Sequence, residues 1–439
     1  MPRNSDRRQF LKTAAATGGS LLLTGCWTSR AARPSTEKLN VAVIGSGGKG
    51  NADTKGFASE NIVAMCDVDE NRAAKCWGLH PDAPKYHDFR KMLEKEKSID
   101  TVIVATPDHT HALASAMALD LGHNLYTQKP LTHNIHEARY LRLLARQSRG
   151  RTAMGNQGTA MNGLRRVVEW VQSGAIGPVR QAHCWTNRPV WPQPVAVPKK
   201  GMPVPGHVNW DLWLGPAADR PYHKSYMPFK WRGWWDFGTG ALGDMACHVA
   251  NTAFMSLKLG YPTEIDADSS EVTAAGAPKW SIIRYKFPAR EGMPPVEFTW
   301  YDGGKKPPES VSGGMKLAKN GTLLIGDKGM IYLDEPYGEE PRLLPEEKFK
   351  DFKEPAPWLP RVVDIYEECK ESFKGGREAL GNFEYAGKLT ETFLLGNVAL
   401  RSGERIEWSG ETMRIPNAPK AEKYLTREVR PGWEIGDII

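Results

Sequence analysis

LNVAVIGSGGKG, residues 39–50, is a short apolar strand running into Gly45-x-Gly47-x-x-Gly50, and an acidic residue, Asp67, follows 22 positions after Gly45. Gly45 permits the tight turn off the strand, and Gly47 lets the backbone approach a pyrophosphate. Gly50 lets the next helix pack close, with its first N–H groups facing the phosphates and Gly48 in the same turn. The segment NIVAMCD (61–67) reads as the second strand. It delivers Asp67 where a carboxylate accepts hydrogen bonds from the adenosine ribose hydroxyls, which favours NAD over NADP. Arg72, close in sequence, leaves NADP open.

Working outward, IDTVIVA (99–105) is a third strand, His109 to Gly122 a helix, HNLYTQKP (123–130) a strand with its exit loop, and His133 to Arg149 a further helix. This βαβ alternation predicts a doubly wound parallel sheet, an α/β Rossmann domain over 39–155. Beyond it the strand candidates (178–187, 279–288, 294–301, 320–333) are longer and more alternating. Helices are expected at 160–173, 240–258, 358–373 and 383–401. The pattern predicts an α+β domain over 156–414 on an open, mainly antiparallel sheet. Residues 415–439 read as an extended tail suited to wrapping a neighbouring subunit.

Ahead of the first strand, Arg7-Arg8-Gln9-Phe10-Leu11-Lys12 and a mildly apolar run ending in Leu23-Thr24-Gly25-Cys26 resemble a twin-arginine export signal with a lipoprotein cleavage box, so residues 1–38 read as signal and linker. Acylation at Cys26 would anchor a periplasmic enzyme to a membrane; cleavage near Ala31 is the alternative. No stretch reaches the ~18 apolar residues of a transmembrane helix. Because this route carries folded proteins, NAD is expected to be loaded before export and retained.

Composition fits a globular protein, 40% hydrophobic and 25% charged, and the formal charge of +7 falls to about +4 without residues 1–25. Lysines and arginines are interspersed with acids, which gives no nucleic-acid signature. Five cysteines besides Cys26, with no CxxC spacing, indicate neither a disulfide framework nor a cysteine zinc site, and Cys66 and Cys247 read as buried small hydrophobes.

Three clusters can carry chemistry. Gln128-Lys129-Pro130 lies at the carboxyl end of a predicted parallel strand, where ligands bind in such sheets, and a lysine there can stabilise an alkoxide. Asp244-x-x-x-His248 puts two side chains on one helix face: an imidazole suited to taking a hydroxyl proton, and a carboxylate to orient it or the substrate. Thr106-Pro107-Asp108-His109-Thr110-His111 fits a loop beside the nicotinamide, with Asp108 as a helix cap. His109-x-His111 also has zinc-site spacing, but no third ligand accompanies it, so no metal is expected. Between the clusters lie Trp185, Trp191, Trp210, Trp213, Trp231, Trp234 and Trp235. Indole faces suit sugar rings, so Trp185 and Trp235, with Asn187 and Arg188 for hydroxyls, are the substrate candidates, while most of the seven are expected to be structural. Arg165 and Arg166 open an amphipathic helix and are expected to be solvated, with one of them reaching the site as the alternative.

GxGxxG with Asp67, TPDHTH, the Lys-Pro pair, GNQG (155–158) and Asp244-x-x-x-His248 occur in the order and spacing of the glucose-fructose oxidoreductase and inositol dehydrogenase (Gfo/Idh/MocA) family, which the chain resembles over about residues 39–402. The resemblance implies a substrate site of Lys129, Asp244 and His248, and cofactor contacts from Thr106, His109, His111, Gln128, Lys129, Asn156 and Gln157. Gln128 stands where the family usually has Glu. A homodimer or homotetramer is implied, as is oxidation of a sugar or glycoside hydroxyl, position 3 by analogy. Two rival readings use the same parts: NAD-dependent glycoside cleavage through transient oxidation and elimination, and a non-catalytic sugar-binding lipoprotein.

Overall fold

The computed structural model describes residues 37–436. The export signal, the cleavage box and Cys26 lie outside the described residues.

Six strands form a parallel sheet: β1 (Asn40–Ile44), β2 (Asn61–Cys66), β3 (Lys85–Tyr86), β4 (Thr101–Val104), β5 (Asn124–Gln128) and β6 (Thr152–Gly155), in the order β3-β2-β1-β4-β5-β6. β1, β4 and β5 are almost wholly buried because helices cover both faces, which is why they read as continuous apolar runs rather than alternating ones. The order reverses between β1 and β4, so the loops after these strands diverge and open a crevice at their carboxyl ends.

The second sheet has eight strands: β7 (Val179–Trp185), β8 (Glu264–Ser269), β9 (Ser281–Phe287), β10 (Val296–Tyr301), β11 (Gly321–Gly326), β12 (Gly329–Leu333), β13 (Arg342–Leu344) and β14 (Ile406–Glu407). Their order is β13-β12-β11-β7-β10-β9-β8-β14, antiparallel except where β7 meets β10. The single strand expected at 320–333 is a hairpin, with Asp327 and Lys328 between β11 and β12. The helix expected at 240–258 is two, Gly240–Val249 and Asn251–Ser256.

Helix Phe383–Ser402 joins the two halves by packing on helix Ile135–Gln147, and the contact encloses a buried bidentate ion pair, Arg139 to Glu391, at 2.6 and 3.0 Å. Arg165 is wholly buried rather than solvated, paired with Glu368 at 2.9 Å, while Arg166 meets Glu354 at the surface. Residues 415–436 do not leave the chain as a free arm. Leu425 accepts a bond from the His136 N–H, Arg427 bonds the His109 carbonyl and Glu137, and Trp433 packs edge-on to Phe89 beneath the Arg90 guanidinium. The apolar side chains in this segment are satisfied within the subunit.

Candidate active site

A cavity of about 610 Å³ runs from the glycine turn to the carboxyl ends of β4 and β5, and is closed on its far side by the segment 188–232 and helix Gly240–Val249. Its walls include Gly45, Gly47, Gly48, Asp67, Thr106, Gln128, Lys129, Gln157, Arg188, Asp244 and His248. One cavity therefore gathers most of the residues singled out from sequence, although Lys129 and Asp244 are 115 positions apart.

The glycine turn is shaped by close approach. A Cβ on Gly50 would sit 1.7 Å from the Gly45 carbonyl oxygen, and one on Gly45 would meet the Ala105 carbonyl at 2.8 Å with φ at +85°. Gly50 thus supports the cradle from behind, outside the cavity lining. Asp67 accepts bonds from the N–H groups of Gly47 (2.9 Å) and Asp69 (3.0 Å), fixing the turn and presenting its carboxylate to the cavity. Burial raises its carboxyl above the ordinary value, and the two N–H bonds work against that rise. Thr106 Oγ1 and Gln157 Oε1 are buried with no hydrogen-bond partner among the described residues. A dinucleotide fits this end of the cavity: bare backbone faces where a pyrophosphate lies, Asp67 waits for ribose hydroxyls, and two orphaned oxygens need partners.

At the other end Lys129 Nζ donates to Asp244 Oδ1 (2.9 Å) and to its carbonyl (2.7 Å), and Arg232 Nε donates to the same Oδ1 (3.0 Å). Burial alone would raise the Asp244 carboxyl, but the two cations hold it well below the ordinary carboxylate range. Asp244 does not orient the imidazole, as one helix face had suggested; Asn156 does. His248 Nδ1 lies 2.9 Å from Asn156 Oδ1, and the amide nitrogen of Asn156 donates to the Cys247 carbonyl. That second bond sets which way the amide points, so His248 Nδ1 carries the hydrogen and Nε2 keeps its lone pair. Burial, reinforced by the Lys129 ammonium, holds His248 well below its ordinary pKa, as a neutral base. Asn156 acts from behind the site and is not part of the cavity wall.

Asp108 is not a cap. Pro107 occupies the cap position, and Asp108 is buried with Thr239 Oγ1 donating to it at 2.9 Å. Burial pushes its carboxyl up to about 7 against the pull of Lys129.

Several expected contacts are absent from the cavity wall. His109 packs between the Trp213 and Phe237 rings, its Nε2 2.9 Å from the Trp213 carbonyl, and burial lowers it to about 3. His111 lies between the carbonyls of Pro130 (2.9 Å) and Thr106 (2.8 Å), tying the loops after β4 and β5 together. Trp185 stacks on Tyr332 in a separate cluster with Leu323, and Trp235 donates to the Thr273 carbonyl. Asn187 is taken up by Arg188 Nη1 (2.6 Å). The indoles that do reach the cavity are Trp191, Trp213 and Trp231, while the rest of the excursion forms its own core around Trp234 and Phe237. Sequence reasoning missed Arg232 and Tyr337, whose ring stands edge-on to His248 at 5.0 Å. The Tyr337 loop is held by the Glu335 carboxylate, which accepts three successive N–H groups at 2.6–2.7 Å. No motif announces either residue.

Gln128, the departure from the family motif, donates to Asp53 Oδ2 (2.9 Å), while Asp53 Oδ1 accepts from Lys49 (2.7 Å) and Tyr366 (2.9 Å). An amide at 128 thus meets a carboxylate at 53 in a buried cluster.

Residues 39–156 match the family described as oxidoreductase family, NAD-binding Rossmann fold, and residues 179–435 the one described as oxidoreductase family, C-terminal alpha/beta domain. The chain belongs to the Gfo/Idh/MocA oxidoreductase family. Among curated Gfo/Idh/MocA relatives it is 27% identical over 158 residues to inositol 2-dehydrogenase 1 of Saccharopolyspora erythraea, covering 33% of this chain and 45% of that one. To glycosyl hydrolase family 109 protein 2 of a Shewanella species it is 27% identical over 160 residues, covering 30% and 35%. The chain therefore matches less than half the length of these relatives. The WlbA dehydrogenase of Chromobacterium violaceum, solved with NADH and UDP-GlcNAcA, shares the fold at TM-score 0.62 and 15% identity over 86% of this chain and 98% of that one. An inositol dehydrogenase homolog of Azotobacter vinelandii, solved with NADH and myo-inositol, does so at 0.56 and 16% over 85% and 98%.

Proposed function

We propose that this Gfo/Idh/MocA protein is an NAD-dependent oxidoreductase acting on a hydroxyl of a sugar or glycoside, with NAD held through successive turnovers. The observation that carries the reading is the neutral imidazole of His248, its Nε2 kept free by the Asn156 clamp, in one cavity with Lys129 and the glycine turn. Two of the three N–H groups of Lys129 are engaged by Asp244, which leaves one for the oxygen of the reacting hydroxyl. That bond strengthens as the oxygen gains negative charge. His248 Nε2 takes the hydroxyl proton. When bound, the nicotinamide supplies the acceptor for the hydride leaving the same carbon. The Gly45–Gly50 turn and Asp67 would hold the pyrophosphate and ribose, with Thr106 and Gln157 supplying the orphaned acceptors.

The glycosyl hydrolase family 109 relatives support a second reading, glycoside cleavage with no net redox change, in which the same base and lysine serve a transient oxidation. A panel of sugars and aryl glycosides mixed with the NAD-loaded protein separates the two. Accumulating NADH absorbance supports the oxidoreductase, aglycone release without it supports cleavage, and neither would leave only a binding role.

Export by the twin-arginine route with lipidation at Cys26 is part of the proposal and rests on residues 7–26 alone. Replacing Arg7 and Arg8 by Lys should keep the protein in the cytoplasm; unchanged fractionation would refute it. Association into a homodimer or homotetramer is tested by light scattering.

A further inference from the structure

The substrate end of the cavity holds an imbalance of charge. Lys129, Arg188 and Arg232 face it, and the single carboxylate of Asp244 is shared between Lys129 and Arg232. The other carboxyl there, Asp108, is raised by burial to about 7 and so carries about half a charge near neutrality. Asp67, Asp69 and Arg72 belong to the glycine-turn end.

Arg188 is the cation left over. It follows β7, with its carbonyl accepting from the Gly303 N–H (2.6 Å) and its own N–H donating to Thr186 Oγ1 (3.3 Å). Arg188 is half-buried, and among the described residues its guanidinium has one hydrogen-bond partner, the neutral amide oxygen of Asn187 at 2.6 Å. The other arginine of this end is accounted for: Arg232 has Asp244 and lies over the Trp231 ring at 4.3 Å. A partly desolvated guanidinium without a counter-charge costs stability unless a ligand supplies one, and its planar fork matches a carboxylate in two parallel hydrogen bonds.

We propose that the substrate carries a carboxylate, as a hexuronic acid or its glycoside does, and that Arg188 receives it while Lys129 and His248 address a hydroxyl of the same ring. This rests on the oxidoreductase reading for the reaction but not for the binding. The carboxylate is not consumed; it fixes which way round the ring lies. A phosphate fits less well, since at neutral pH it brings close to two charges and three acceptor oxygens to one fork, with no helix N-terminus described at Arg188.

The test is calorimetric titration of the NAD-loaded full chain with D-glucuronate, D-galacturonate, their parents D-glucose and D-galactose, and glucose 6-phosphate. Uronates should bind at least ~10-fold more tightly than their parents, and Arg188→Gln should shrink that ratio to within ~3-fold, with Arg188→Lys in between. The uronate preference should also fall with added salt. Equal binding of parent and uronate, tighter binding of the phosphate, no binding of any of them, or an unchanged ratio in a folded Arg188→Gln protein would each overturn the proposal. The two readings fail separately. Reduction of bound NAD by neutral sugars alone removes the carboxylate and keeps the oxidoreductase; uronate binding through Arg188 with no reduction of NAD does the reverse.

Discussion

Asn156 Oδ1 lies 2.9 Å from His248 Nδ1, and the far end of the same amide donates to the Cys247 carbonyl, one residue before the histidine it orients. On the proposed reading Asn156 is a positioning residue and His248 takes the proton. His248→Ala should lower kcat by at least ~100-fold with NAD still bound, as read by nucleotide absorbance of the purified protein. Asn156→Ala should lower kcat about tenfold or more with little change in KM, because the ring remains but its tautomer is no longer held. A change confined to KM would count against the clamp.

The pH profile of kcat should place its acid limb below about pH 6.5, the ordinary imidazole value, since burial and the Lys129 ammonium both favour neutral His248. Asn156→Asp, which sets a carboxylate against Nδ1, should move that limb upward. An acid limb at or above 6.5 in the native protein would show that the base is not this histidine.

Breaking the Lys129–Asp244–Arg232 group at its centre should be costly. Asp244→Ala leaves two cations facing each other at a buried site, with an expected loss of about 3–5 kcal/mol. Denaturant midpoints of Asp244→Ala beside Arg232→Met, which leaves the Lys129 pair intact, should rank in that order. Equal midpoints would refute the shared-carboxylate picture.

Asp108 gives stability a pH dependence of definite sign. Its carboxyl is raised from 3.8 to about 7 in the folded chain, so the folded state binds the extra proton between those values. The contribution is fully present below pH ~4 and is lost as pH rises towards 7. Asp302, raised to about 6, acts in the same sense. Asp108→Asn should therefore raise the thermal midpoint markedly more at pH 8 than at pH 5. A midpoint that rises equally at both would mean that the carboxyl is ionised throughout.

Restoring the family's glutamate should harm this chain. Gln128→Glu sets a second carboxylate 2.9 Å from Asp53 in a buried cluster, and should cost about 1–3 kcal/mol at pH 8 and less at pH 5. Adding Asp53→Asn should recover most of the loss. Additive effects in the double variant would show that the two positions are not coupled.

Local patterns were enough for the parallel sheet and the glycine turn, and the family resemblance for grouping Lys129, Asp244 and His248, which one cavity brings together. Strand periodicity and a glycine forced by a 1.7 Å approach are properties of a few adjacent residues. Partnerships were not legible. Asp244 and His248 do share a helix face, yet Arg232 and Lys129 compete for the carboxylate and win it, because two charges at 3 Å outweigh one neutral ring. Which tryptophans meet the cavity depended on the face each strand or turn presents: Trp185 points to the Tyr332 side of its sheet, while Trp191 and Trp231 face inward. The sequence by itself determined the cofactor-binding half and singled out His248 as the candidate base. Only the tertiary structure decided who holds whom, since it alone brings Asn156 to His248 across 92 residues and leaves Arg188 without a carboxylate partner among the described residues.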